Sequence, residues 1–63
     1  MDNVVPIRKA SPRVEVAETH DEWVVRVIEA DQEITRSFDL KWFAFSFAEG
    51  QRMRLGLTQF KRL

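Results

Sequence analysis

The change from strand to helix periodicity lies in residues 23–48, which read WVVRVIEADQEITRSFDLKWFAFSFA. The first segment, Trp23–Ile28, is rich in β-branched and aromatic residues, which favour extended structure. Polar residues 29–33 predict a turn, although they lack the Asn-Gly or Asp-Gly pair typical of tight hairpins. Apolar and polar residues then alternate over Ile34–Phe38, as in a half-buried strand. These segments predict two antiparallel strands joined by a short turn.

A helix is predicted to follow, from about residue 40 to residue 55. Asp39 stands at the N-cap position, where its carboxylate can accept hydrogen bonds from the backbone N–H groups of the first turn. Phe38 and Phe43 occupy the two positions of a hydrophobic staple. Gly56 is expected to end the helix, because glycine adopts the left-handed conformation without steric cost.

A further strand is predicted upstream, where Val14 and Val16 alternate with more polar neighbours. Polar residues 19–22 predict the turn that leads into the next strand. The predicted fold class is therefore α+β, a three-stranded antiparallel β-meander packed on one C-terminal α-helix (βββα). The chain is expected to divide into a flexible basic arm, a single domain and a short basic tail, over residues 1–12, 13–57 and 58–63.

The composition of the 63 residues limits the classes of protein that fit. Ten basic and ten acidic side chains cancel in formal charge, and 44% of the residues are apolar, as in globular proteins. No apolar run reaches the ~18 residues of a membrane-spanning helix, and a chain without cysteine has no disulfide framework. We therefore expect a soluble cytoplasmic protein with no membrane contact. Because a domain of this size has a marginal core, oligomerisation is the remedy that the sequence leaves open.

The predicted helix carries more apolar surface than one sheet can cover. At about 100° per residue, the face expected to pack on the sheet comprises Leu40, Phe43, Ala44, Phe47, Ala48 and Leu55. A second stripe comprises Trp42, Ser46, Gly50, Met53 and Leu57, and Phe45 lies beyond both faces. Either the chain's own termini cover this stripe, or a partner does. We predict a partner, and first a second copy of the chain, because twofold homodimers are the commonest assemblies.

One longer stretch, residues 22–56, reads EWVVRVIEADQEITRSFDLKWFAFSFAEGQRMRLG. It resembles the small N-terminal DNA-binding domain of phage-type tyrosine integrases, in which a Trp-x-Val-x-Val strand, a polar hairpin, a strand ending in Ser-Phe and an aromatic-bearing helix follow one another. The resemblance implies a three-stranded sheet backed by one helix, with the sheet face laid in a DNA groove. It implies that Arg26, Thr35 and Ser37 lie on the reading face, with Arg36 and Lys41 near phosphates.

Charge placement and residue content differ from that family. Residues 15–33 carry seven acidic side chains and one arginine, and acidic groups repel the phosphates that dominate DNA affinity. The chain also has no tyrosine, which excludes recombinase chemistry. DNA binding is therefore the alternative interpretation rather than the first one.

Candidate catalytic groups are sparse. His20 is the only histidine and stands in a predicted turn, where one imidazole beside carboxylates is a poor zinc ligand set. The serines have no neighbouring base, and the two glycines cannot form a phosphate-binding loop. We predict no catalytic residues, no metal and no cofactor. The predicted function is a small non-catalytic interaction module of the phage or bacterial regulator kind, which binds another protein as a homodimer through its helix; the alternative is a DNA-binding accessory protein.

Overall fold

The computed structural model of the protein describes residues 10–63 and places one helix against one face of a sheet. The sheet is mixed, with the strand order β3-β2-β1-β4. This architecture confirms the predicted α+β class and the βββα order, with a short fourth strand added. Among the described residues, no helix is long and apolar enough to cross a membrane. The elements in chain order are β1 (Ala10–Glu18), β2 (Trp23–Ala30), β3 (Gln32–Phe38), α1 (Lys41–Arg54) and β4 (Lys61–Arg62).

The meander pairs in the register that its alternating residues require. Strand β2 runs antiparallel to both β1 and β3, and Val25 lies between Val16 and Arg36. The β2–β3 pairing is continuous up to the Glu29–Gln32 pair, so that two residues form the turn. The first of these, Ala30, has a φ of 45°, in the left-handed region that costs a residue with a side chain about 1–2 kcal/mol. The hairpin therefore forms despite an unfavourable turn residue.

The core is built from small and β-branched side chains. Four valines of β1 and β2 are fully buried, and Ala44 and Ala48 of the helix lie against them. Because alanine is small, the helix backbone approaches the sheet closely, and Phe45 and Phe47 pack on either side of the alanines. This arrangement corrects the expected sheet-facing side of the helix, since Leu40 and Phe43 are 50% and 46% exposed.

The start of α1 also differs from the prediction. The N-cap residue is Leu40 rather than Asp39, and within the described chain no side chain caps this end by a hydrogen bond. With Leu40 as the N-cap, Phe38 and Phe43 do not occupy the two positions of the expected staple. Phe38 instead contacts Phe47, with ring centroids 5.4 Å apart. Burying Phe45 and Phe47 together turns the helix about its axis and moves Phe43 away from the sheet.

The end of α1 is as predicted. Gly56 has a φ of 69°, and its N–H donates to the carbonyl of Met53 at 3.1 Å. The N–H of Leu57 donates to the carbonyl of Arg52 at 3.0 Å. These two bonds form a Schellman motif, which satisfies the last carbonyls of the helix and turns the chain back toward the sheet.

Both predicted terminal segments contribute to the sheet. In the segment expected to be a tail, β4 pairs parallel with β1, and the N–H of Leu63 donates to the carbonyl of Val16 at 2.8 Å. Phe60 packs on Phe45 with the ring centroids 5.5 Å apart. Residues 1–9 of the expected arm lie outside the described residues, and its last three residues begin β1.

Candidate functional site

The helix presents a largely apolar surface on the side opposite the sheet. Trp42 and Met53 are 62% and 65% exposed, and Phe43, next to Trp42 in the chain, is 46% exposed. At about 100° per residue, these positions lie roughly opposite Ala44 and Ala48. The rings of Trp42 and Phe43 stack with centroids 4.3 Å apart. We call this surface the outward face, and it comprises Trp42, Phe43, Ser46, Gly50 and Met53.

The centre of the outward face is formed by small residues. Ser46 and Gly50 lie one helical turn apart, and both are exposed. Apart from the adjoining helix backbone, a Cβ atom added at Gly50 would meet no atom of the described residues within 4 Å. Contacts within residues 10–63 therefore give no packing reason for glycine at this position, although glycine costs a helix about 1 kcal/mol relative to alanine.

Two residues of the predicted interface lie elsewhere. Phe45 packs edge-on against Trp23, with ring centroids 5.6 Å apart, and against Phe60. Leu57 is half-buried beside the core. The C-terminal segment covers Phe45. Of the predicted stripe only Leu57 is half-buried, and the other four residues stay exposed: Trp42, Ser46, Gly50 and Met53.

The sequence pattern missed Phe43 as part of this face. The signal was the pair Ala44 and Ala48, four residues apart and flanked by Phe45 and Phe47. A helix that packs its alanines on the sheet buries a phenylalanine on each side of them. In that orientation Phe43 can only join Trp42 on the opposite side.

Ion pairs hold the residues that border the outward face. Arg52 donates two hydrogen bonds to the Glu49 carboxylate and a third to the carbonyl of Leu57 at 2.8 Å. The hydrogen bonds from Arg52 lower the pKa of Glu49 and raise that of Arg52. Arg54 reaches across to Glu29 of β2 with distances of 3.3 and 2.8 Å, which lowers the pKa of Glu29 and raises that of Arg54. The last turns of the helix are thereby tied to their surroundings.

The outer sheet face, which faces away from the helix, is where the resemblance to integrase domains implied DNA reading. Arg26 lies there between two carboxylates, 3.8 Å from Glu15 and 2.7 Å from Glu33. The register places Thr35 opposite Arg26, and Ser37 follows on the same face. Arg26, the only arginine among the residues implied to read DNA, is therefore paired with carboxylates of the same sheet face.

The other two candidate nucleic-acid residues lie on the helix side of the sheet. Arg36 pairs with the buried Val25 in the register, so its side chain is on the side opposite to that of Thr35. The ammonium of Lys41 lies 5.7 and 5.4 Å from the ring centroids of Trp23 and Phe45. The structure therefore does not bring the five candidates together on one surface.

Within residues 10–63, no group of three or more His, Asp or Glu side chains could hold a metal ion. His20 is exposed in the turn between β1 and β2.

No protein-family model, curated protein or solved structure matches the chain. The resemblance of residues 22–56 to integrase domains therefore stays a prediction.

Proposed function

We propose that the protein is a non-catalytic protein-binding module that assembles as a homodimer through the outward face of α1. The observation that carries this proposal is the exposure of Trp42, Phe43 and Met53 on one side of a single helix. Removing a large apolar side chain from water is worth about 1.5–3 kcal/mol. Large apolar side chains exposed on one face of a soluble protein are a common feature of interaction sites.

A second copy fits the outward face because the face is self-complementary. Consider two antiparallel helices related by a twofold axis that passes between Ser46 and Gly50. Ser46 of one copy then lies opposite Gly50 of the other, and Phe43 lies opposite Met53. The small central residues allow close approach, while the large residues at each end fill the space beside them.

Two further features support a second copy of the chain as the partner. Glu49 borders the face but is already paired with Arg52, so a second copy does not meet an unpaired carboxylate. The fully buried large side chains of one described chain are four valines. Small cores of this kind are commonly supplemented by oligomerisation. The proposed location is the cytoplasm, because small secreted domains typically depend on disulfides and this chain has no cysteine.

DNA binding is not proposed as a second function, because the geometry does not favour it. Phosphate contacts by free cations dominate the affinity of proteins for DNA. Arg26 is engaged by Glu15 and Glu33, and the basic candidates Arg36 and Lys41 lie on the other side of the sheet from it.

The substitution Gly50→Leu tests the dimer. A side chain at this position has open space in one chain, and leucine is the better helix former, so the monomer should fold. In the dimer the same side chain would separate the two helices. We expect the wild type at hundreds of micromolar to have twice the 7.5 kDa mass of one chain in sedimentation equilibrium. Gly50→Leu should have the mass of one chain.

The control is Gly50→Ala, which favours the helix while adding only a methyl group. The Gly50→Ala protein should dimerise more strongly than the Gly50→Leu protein. The melting temperature of the wild type should rise with protein concentration, and that of Gly50→Leu should not. A monomeric wild type at these concentrations would overturn the homodimer. A Gly50→Leu protein that stays dimeric would place the interface elsewhere.

A further inference from the structure

The sheet has one long open edge, formed by β3. Within residues 10–63, β2 is the only strand that pairs with β3. The opposite edge is a strand of two residues, β4, and the neighbouring β1 contains Pro12 and a shift in register. Proteins commonly protect sheet edges with short strands, prolines and bulges. The seven residues of β3 have no proline and no shift in register, so this edge lacks those forms of protection.

The register shows which backbone groups the edge offers. In a two-residue hairpin the closing pair, here Glu29 and Gln32, is hydrogen-bonded, and bonded and non-bonded pairs then alternate. The N–H and C=O groups of Glu33, Thr35 and Ser37 therefore face away from β2. The carbonyl of Thr35 agrees with this assignment, since it accepts a hydrogen bond of 3.1 Å from the side chain of Arg36.

The side chains along the edge define what a docked strand must carry. On the helix side of the sheet, Ile34 and Phe38 are half-buried and Arg36 between them is exposed. Among the described residues, carboxylates pair with Arg13, Arg26, Arg52 and Arg54, and no such pair involves Arg36. A complementary strand would set an acidic residue opposite Arg36 and apolar residues opposite Ile34 and Phe38.

We propose that the β3 edge docks an extended segment of a partner protein with the pattern apolar-x-acidic-x-apolar. Main-chain hydrogen bonds to Glu33, Thr35 and Ser37 supply the attachment, and the alternate side chains supply the selectivity. This inference names the partner chemistry of the proposed protein-binding function. The edge is distinct from the outward face, so a helix-mediated dimer carries two such edges.

The probe is the synthetic peptide TVTETVT with blocked ends. Its pattern is the same in both directions, so the glutamate can face Arg36 in either strand orientation. Titration into the ¹⁵N-labelled protein should shift the amide signals of Glu33, Thr35 and Ser37. The wild type should bind TVTETVT about fivefold more tightly than TVTKTVT, since opposite charges across strands attract and like charges repel. Arg36→Glu, a change at an exposed position, should reverse this order.

Thr35→Pro removes one outward N–H and should weaken the binding of TVTETVT, whereas Thr35→Val retains that N–H and should not. If the proline variant fails to fold, the charge reversal at Arg36 decides the question alone. Equal binding of the two peptides by the wild type and by Arg36→Glu would overturn the proposal. The proposal would also be overturned if Gly50→Leu still formed a dimer and adding Arg36→Glu abolished that dimer. A second copy of the chain would then occupy the edge. A monomeric wild type that still selects TVTETVT would support the edge proposal and overturn only the helix-mediated dimer.

Discussion

Phe43 and Phe47 lie one helical turn apart on α1 and have different surroundings. Phe47 packs between the helix and the sheet, with its ring 5.4 Å from that of Phe38. Phe43 stacks on the exposed Trp42 and is itself 46% exposed. The difference arises because the helix packs Ala44 and Ala48 on the valines, which leaves Phe43 on the far side of its axis.

Alanine substitution at these two positions should have unequal effects. Phe47→Ala should lower the free energy of unfolding by about 3 kcal/mol, the lower end of the range for a buried phenylalanine. Phe43→Ala should lower it by about 1 kcal/mol, which is typical of an ordinary substitution. Urea denaturation in the Gly50→Leu background measures both without a contribution from dimerisation. If Phe43→Ala were the more damaging change, Phe43 would face the sheet, as first expected from the staple.

At the scale of elements, the last turn of α1 is joined to the β2–β3 hairpin by one arginine. Arg54 holds Glu29 with two hydrogen bonds and also contacts the side chain of Gln51. Arg52 holds Glu49 and the carbonyl of Leu57 at the same end of the helix. These contacts position the Schellman turn from which the chain returns to β1.

The ion pairs predict a loss of stability in acid. Hydrogen bonds from Arg54 and Arg52 lower the pKa of Glu29 and Glu49 below the ordinary value of 4.5. A carboxylate with a lowered pKa in the folded state contributes stability above its unfolded pKa, and that contribution is lost as the pH falls through the folded value. The urea midpoint should therefore fall on acidification from pH 5 to pH 3.

The substitution Glu29→Gln removes one of these titrating groups. The fall in the urea midpoint between pH 5 and pH 3 should be smaller in this variant than in the wild type. Glu22→Gln is the matched control, because Glu22 makes no ion pair with another described residue. An unchanged pH dependence in Glu29→Gln would show that the Arg54 contact does not contribute to folding.

At the scale of the whole molecule, the C-terminal segment completes both the sheet and the aromatic cluster. Strand β4 pairs with the middle of β1, and Phe60 covers Phe45, which in turn packs on Trp23. Arg62 lies 5.5 Å from the ring centroid of Trp23. Residues 58–63 are therefore part of the folded unit.

The substitution Phe60→Ala should lower the free energy of unfolding by roughly 1–3 kcal/mol, less than a fully buried phenylalanine would. Gln59→Ala, at the exposed neighbouring position, should change it by less than about 0.5 kcal/mol. Thermal unfolding followed by circular dichroism measures both changes. Equal melting temperatures for Phe60→Ala and the wild type would mean that the domain ends near Leu57, as first expected.

Patterns among neighbouring residues were sufficient to predict the order and type of the main elements. β-Branched runs, polar turns and the position of Gly56 act within a few residues, so they predicted three strands, one helix and the end of that helix. The same signals predicted that the helix has more apolar surface than the sheet covers, and they located Trp42, Ser46, Gly50 and Met53 on the uncovered part.

The way these elements pack together depends on contacts between residues that are far apart in the sequence. The orientation of α1 about its axis places Ala44 and Ala48 on the sheet, with Phe45 and Phe47 packed beside them. Phe43 therefore faces outward, and Phe45 faces inward. The pairing of β4 with β1 and of Arg26 with Glu15 and Glu33 joins residues from separate strands. Such contacts follow from the packing and register of complete elements, because short-range periodicity states which face a residue occupies but not which distant residue lies against it.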